Sequence, residues 1–139
     1  MNRGELQQLA EDRAEDAQIL LAAGRWSGAY YLAGYAVECG LKACVLVHIE
    51  RTGVIFEDKK YAERCWTHDL EDLVTLAGLQ QSMAVDGTTN ANLADNWQVA
   101  KDWNELSRYQ QVPEVRGRAL VAAVTDPVNG VLPWIRLHW

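Results

Sequence analysis

The sequence predicts an all-α protein, an up-and-down bundle of about five helices that forms one domain over residues 1–139. Three observations carry this expectation. Ala and Leu are abundant while the 139 residues include only 3 Pro and 1 Phe, which favours helices over a many-stranded sandwich. Apolar side chains recur at three- and four-residue steps, and no stretch alternates with period two. An apolar content of 49% is enough to fill one core at this length, which excludes a disordered chain.

The first helix is expected over Arg3 to Ala23. Leu6, Leu9, Arg13, Ala17, Leu20 and Gly24 share one face, and Glu11, Asp12, Glu15 and Asp16 form the wet one. Gly24 is placed to end it. The second helix, Ser27 to Arg51, has only Glu38 and Lys42 as charged side chains between Trp26 and Val47. A helix so apolar around its circumference has to be buried on more than one side. Its small residues Ala29, Ala33, Gly34, Ala36, Gly40 and Ala43 allow neighbours to approach closely, near a subunit contact as well as in the core. Thr52 to Trp66 reads as a loop with a short helical turn near Tyr61 to Cys65.

Thr67 reads as the N-cap of a third helix, His68 to Ala77, with Asp69, Glu71 and Asp72 in a first turn where the helix dipole favours acids. Gly78 stops it. Asp86-Gly87-Thr88-Thr89-Asn90, within Met83 to Asn92, is the strongest loop signal in the chain. A fourth helix is expected from Leu93 to Leu106, with Leu93, Trp97, Ala100, Trp103 and Leu106 on one stripe. Pro113 suits the first position of a fifth helix carrying Val115, Leu120, Ala123 and Val124. Asp126-Pro127 reads as a cap followed by a restart through Val131, Trp134 and Leu137.

Charge, cysteines and motifs narrow the chemistry. The net charge of −6 argues against a general phosphate-coating protein. Residues 1–100 hold 8 Lys/Arg against 15 Asp/Glu, whereas residues 101–139 hold 5 against 4, with Arg108, Arg116 and Arg118 close together. Those arginines read either as a solvated face or as a local anion site. The 3 cysteines, Cys39, Cys44 and Cys65, lack the spacing of a disulfide framework and suit a reducing compartment. No charged-then-apolar leader opens the chain and no run of about 18 apolar residues occurs, so a soluble cytoplasmic protein without a membrane segment is expected. Phosphate-loop, dinucleotide-binding, H-E-x-x-H and G-x-S-x-G signatures are absent, and no cofactor is expected.

Cys65-x-x-His68 has the spacing of metal ligands, with Cys39 and Cys44 as conceivable partners. Residues five apart on a helix point about 140° away from each other, so no metal site is expected. His68-Asp69 reads better as a helix start than as part of a metal phosphohydrolase site, because only His48 and His138 remain as further imidazoles. Glu38 and Lys42 stand at i and i+4, an ion pair that is either a partly exposed structural pair or part of a site. Tyr31 and Tyr35 continue the same stripe, which faces a groove or a partner. Of 6 tryptophans, most suit the core, while terminal Trp139 is a candidate for an oligomer contact.

Three segments together resemble the HEPN domain family (higher eukaryote and prokaryote nucleotide-binding domain). They are Ala29 to Ala43, with its A-x-E-x-x-L-K-A core, then His68-Asp69-Leu70-Glu71-Asp72-Leu73, then Arg108-Tyr109. The resemblance spans about residues 5–137. It implies an up-and-down helical bundle, often a homodimer. Many prokaryotic relatives of that family are metal-independent ribonucleases of toxin–antitoxin and defence systems, with an R-x(4–6)-H motif. Others lack the motif and serve as binding modules or partners of small nucleotidyltransferases. Here Arg108 matches the arginine, but Pro113, Glu114 and Val115 occupy the place of the histidine. The resemblance therefore implies a degenerate member, a homodimeric binding module that pairs with a small nucleotidyltransferase. Tyr31, Tyr35, Glu38, Lys42, Arg108 and Tyr109 would line its cleft, with Glu38 orienting Arg108. Two alternatives stay open: a divergent ribonuclease using Arg108 with Glu114 or His68, and a nucleotide-binding sensor that holds a phosphate against Arg108, Arg116 or Arg118.

Overall fold

Asn2 opens the first helix with a capping box. Its side chain accepts from the Glu5 amide, and the Glu5 carboxylate accepts from the Asn2 amide, so two otherwise orphaned donors are satisfied. In the computed structural model, which describes all 139 residues, this helix α1 spans Arg3–Ala22 and returns through a tight connection with Gly24 at φ 75° into α2, Trp26–Thr52. Buried Ala10, Ala14 and Ala17 let α1 lie close along α2, the most extensive packing in the molecule. Short helices α3 (Val54–Glu57), α4 (Tyr61–Arg64) and α5 (Leu70–Leu76) follow. Then come α6 (Gln80–Thr89), α7 (Ala91–Lys101), a 3-10 turn at Glu105–Tyr109, α8 (Glu114–Thr125) and α9 (Val131–Arg136). There is no strand. The fold is all-α, a helical bundle around α2.

The apolar circumference of α2 is explained by its neighbours. It is long and apolar enough to cross a membrane by length and composition, yet 67% of its most apolar window is buried inside the bundle, as in a core helix. Packing around it comes from α1, α5, α8, α9 and the 3-10 turn. Its small residues permit close approach. A Cβ on Gly34 would stand 2.2 Å from Cγ of Trp103, and one on Gly40 would stand 2.9 Å from Cγ2 of Ile135. Leu41, Leu70, Leu73, Leu120, Leu132 and Ile135 complete the core with no exposure above 1%.

Several boundaries differ from the expectation, each for a local reason. The Asp86–Asn90 stretch is not a loop but the end of α6. Thr88 and Thr89 return their hydroxyls to the Ala84 and Asp86 carbonyls, and Gly87 packs against Ala94, so the turn-forming residues serve a helix–helix contact. Asn90 then caps α7. The third helix starts later than expected, because Asp69 rather than Thr67 is its N-cap; Thr67 accepts from the Asp69 amide in a preceding turn. The fourth ends at Lys101, since Trp103 leaves the helix to dock on Gly34, and Leu106 is exposed instead of joining the stripe. Pro113 is the N-cap of α8, one position before the place expected. Asp126 caps a turn by accepting from the Val128 and Asn129 amides, and the last helix begins only at Val131. Trp139 folds back toward Gly40, half-buried on the core.

Candidate functional site

The apolar face of α2 is interrupted once, at Glu38. Its side chain is 3% exposed, and burying a carboxylate is costly unless hydrogen bonds and opposite charge compensate. Two donors supply that compensation and converge on one oxygen. Lys42 Nζ donates to Glu38 Oε1 at 2.8 Å, and His68 Nδ1 lies 2.8 Å from the same atom. Lys42 arrives because it stands one turn along the helix. His68 arrives because the segment before α5 crosses α2 at this point. A neutral His68 must carry its proton on Nδ1 to make this bond, which leaves Nε2 free on a half-exposed ring.

Glu38 and Lys42 form the polar part of a groove of ≈ 360 Å³ between α1 and α2, otherwise walled by apolar side chains such as Leu6, Leu9, Leu46 and Ile49. Tyr35 and Cys39 share it, with Cys65 and the exposed Trp66 on the far rim. Burial is the main reason that the Tyr35 hydroxyl is pushed up to about 12 and the Cys39 thiol to about 11. Both are neutral near pH 7. They offer hydrogen bonds and apolar surface to an occupant, not a nucleophile.

Arg108 occupies a different place. It is exposed on the 3-10 turn, with its guanidinium carbon 4.8 Å from the centre of the Tyr109 ring. The neighbouring Tyr109, and then Tyr31, raise its pKa above the usual arginine range. Tyr31 stacks nearly parallel to Tyr35 at 6.1 Å and tilts against Trp103 at 6.0 Å. An aromatic ladder along α2 therefore joins the Arg108 corner to the Glu38 groove.

The expected pairing of Glu38 with Arg108 is not formed. Glu38 is satisfied by Lys42 and His68, and Arg108 makes no hydrogen bond or ion pair with any of the three, its guanidinium lying against Tyr109 instead. Tyr35, Glu38 and Lys42 thus share one groove, while Tyr31, Arg108 and Tyr109 are not part of its lining. Glu114 is also engaged elsewhere, accepting from Arg118 Nε at 2.9 Å. Two platforms escaped the sequence reading. Arg116 lies over Tyr30 and Arg118 over Trp26, each with its guanidinium carbon 5.0 Å from the ring centre. Their signal is the i, i+4 spacing of Trp26 and Tyr30 beside an arginine-rich segment, but only the packing of α8 on α2 pairs them.

The cysteines are separate. Cys44 donates weakly to the Ile135 carbonyl at 3.8 Å, and Cys39 lies beside Tyr35. No group of three or more His, Cys, Asp or Glu side chains is placed to hold a metal ion. The arrangement offers an apolar groove with a neutralised polar floor and a corner of oriented guanidiniums, which are means of binding. No protein-family model matches the chain, and no curated protein or solved structure matches it either.

Proposed function

We propose that the chain is a HEPN-like binding module that forms a homodimer, pairs with a small nucleotidyltransferase in a toxin–antitoxin or defence-type system, and does not itself cleave RNA. One observation carries this reading: Arg108 has no acid–base partner. Metal-free RNA cleavage needs a group to take the 2′-hydroxyl proton and a cation on the same phosphate. Of the two candidate bases, Glu114 is engaged by Arg118, and His68, whose Nδ1 is held by Glu38, makes no contact with Arg108. Arg108 is left with Tyr109 and Tyr31, a combination typical of interfaces. The resemblance to the HEPN family supports the partner class.

Co-expression of the tagged chain with a small nucleotidyltransferase, followed by affinity capture and sedimentation, tests the reading. The expected result is a complex containing two copies of the 15.6 kDa chain, weakened by Tyr31→Ala or Tyr109→Ala. A monomer that captures no transferase contradicts it. A rise in melting temperature with ATP or a dinucleotide, without partner capture, would favour the sensor reading instead.

A further inference from the structure

The arginines of the last third of the chain gather at one end of the bundle. Arg118 lies over Trp26, Arg116 lies over Tyr30 and donates to its hydroxyl at 3.1 Å, and Arg108 sits beside Tyr31 and Tyr109. Arg25 directly precedes Trp26, so all four border the first turns of α2. Elsewhere the cations are mostly tied to acids: Arg3 to Glu50, Arg13 to Asp16, Arg64 to Asp58, Lys101 to Glu71 and Arg136 to Glu11. At this end only Arg118 has a carboxylate, Glu114, while Arg25, Arg108 and Arg116 have none. Close in sequence to Arg108 and Arg116, Leu106, Tyr109 and Val115 are exposed to 56%, 75% and 78%. Each guanidinium carries five N–H donors, of which Arg116 commits one to Tyr30 and Arg118 one to Glu114, so the others are left to bind carboxylates.

We propose that this end of the bundle is a docking face for an acidic segment of a partner protein, which sets carboxylates against Arg108 and Arg116 and apolar side chains against Leu106 and Val115. The proposal rests on the binding-module reading and adds the face and the chemistry of what it binds. Nucleic acid fits less well. The Trp26, Tyr30 and Tyr109 rings each already have a guanidinium over one face, which handicaps base stacking, and the exposed residues close in sequence to Arg108 and Arg116 include the aliphatic Leu106 and Val115.

Fluorescence anisotropy with short labelled probes tests it: a peptide of Glu-Glu-Leu repeats, a Lys-Lys-Leu counterpart, oligoglutamate, and single-stranded RNA of matched length. The Glu-Glu-Leu peptide should bind best, lose affinity as salt is raised, and bind about tenfold more weakly to the Arg108→Ala/Arg116→Ala double variant. Both arginines are exposed, and the Arg108→Lys/Arg116→Lys variant, which keeps the charge without the planar fork, should fall between. Equal binding of the lysine peptide, tighter binding of RNA, or no change in the double variant would overturn the proposal. If the chain captures a nucleotidyltransferase yet ignores the acidic peptide, the docking face is wrong and the binding module stands. If the peptide binds but no transferase is captured, the face stands and the transferase pairing falls.

Discussion

Glu38 shows how one polar residue can be admitted to an apolar helix. Its carboxylate is buried with Lys42 and His68 on the same oxygen, so removing the charge strands a lysine whose side chain is only 23% exposed. Glu38→Gln is expected to cost about 2–3 kcal/mol in urea unfolding, below the full penalty of a wholly buried pair because Lys42 can turn toward water. His68→Ala should cost under about 1 kcal/mol, since the ring is half-exposed. Equal losses for the two variants would contradict this hierarchy. Gly34→Ala is a second test at this scale. The added methyl would sit 2.2 Å from the Trp103 ring, so the indole must move, with an expected cost of about 3 kcal/mol and a shifted tryptophan emission. The Glu38–Lys42 pair was legible in the sequence because i, i+4 geometry is local. His68 was not, because its approach depends on how a segment 30 residues later crosses α2. The expected Glu38–Arg108 pair failed for the same reason: spacing along a chain does not say which end of a helix a distant turn will reach.

At the scale of elements, the long helices followed from periodicity while short elements and junctions did not. Asp86-Gly87-Thr88-Thr89-Asn90 has every mark of a loop, yet its glycine admits Ala94 of the next helix and its threonines bond back into α6. Tertiary packing outweighed turn chemistry there. Asn90 is where that junction is fixed. Its side chain caps α7 by accepting from the Leu93 amide and donates to Asn129, which ties α7 to the turn before α9. Asn90→Ala should therefore lose about 1–2 kcal/mol by thermal or urea unfolding. Asp69→Ala, which removes a simple cap from α5, should lose about 1 kcal/mol. A neutral Asn90 variant would mean that the junction is held by apolar packing alone. The helix-four stripe holds through Ala100; Trp103 is buried but beyond the helix end, docked on Gly34, and Leu106 is exposed.

The molecule as a whole is a core helix wrapped by its neighbours, with a groove and an arginine-rich corner at two places along α2. Its interior thiols give it a characteristic pH response. Burial raises Cys39 to about 11 and Cys44 to about 12, from 9.0. The fold thus favours the neutral thiols. Their contribution is complete below pH 9 and is lost progressively as pH rises from 9 through 11 to 12, where the unfolded chain ionises first. Urea midpoints should fall over that interval, and Cys44→Ala should flatten the fall. A stability that stays level to pH 11 would contradict the burial of the thiols. All-helical architecture and the central place of α2 could be read from composition and periodicity. The division of the site into a groove and an arginine corner could not, since it arises from α8 and the 3-10 turn packing on the first turns of α2. That division is the basis for assigning binding rather than cleavage. The most direct test is to incubate the purified chain with mixed RNA, in chelator and low salt, beside its Arg108→Ala variant. The account predicts intact RNA with both proteins. Cleavage by the natural chain that disappears in the variant would contradict it and make the protein a nuclease.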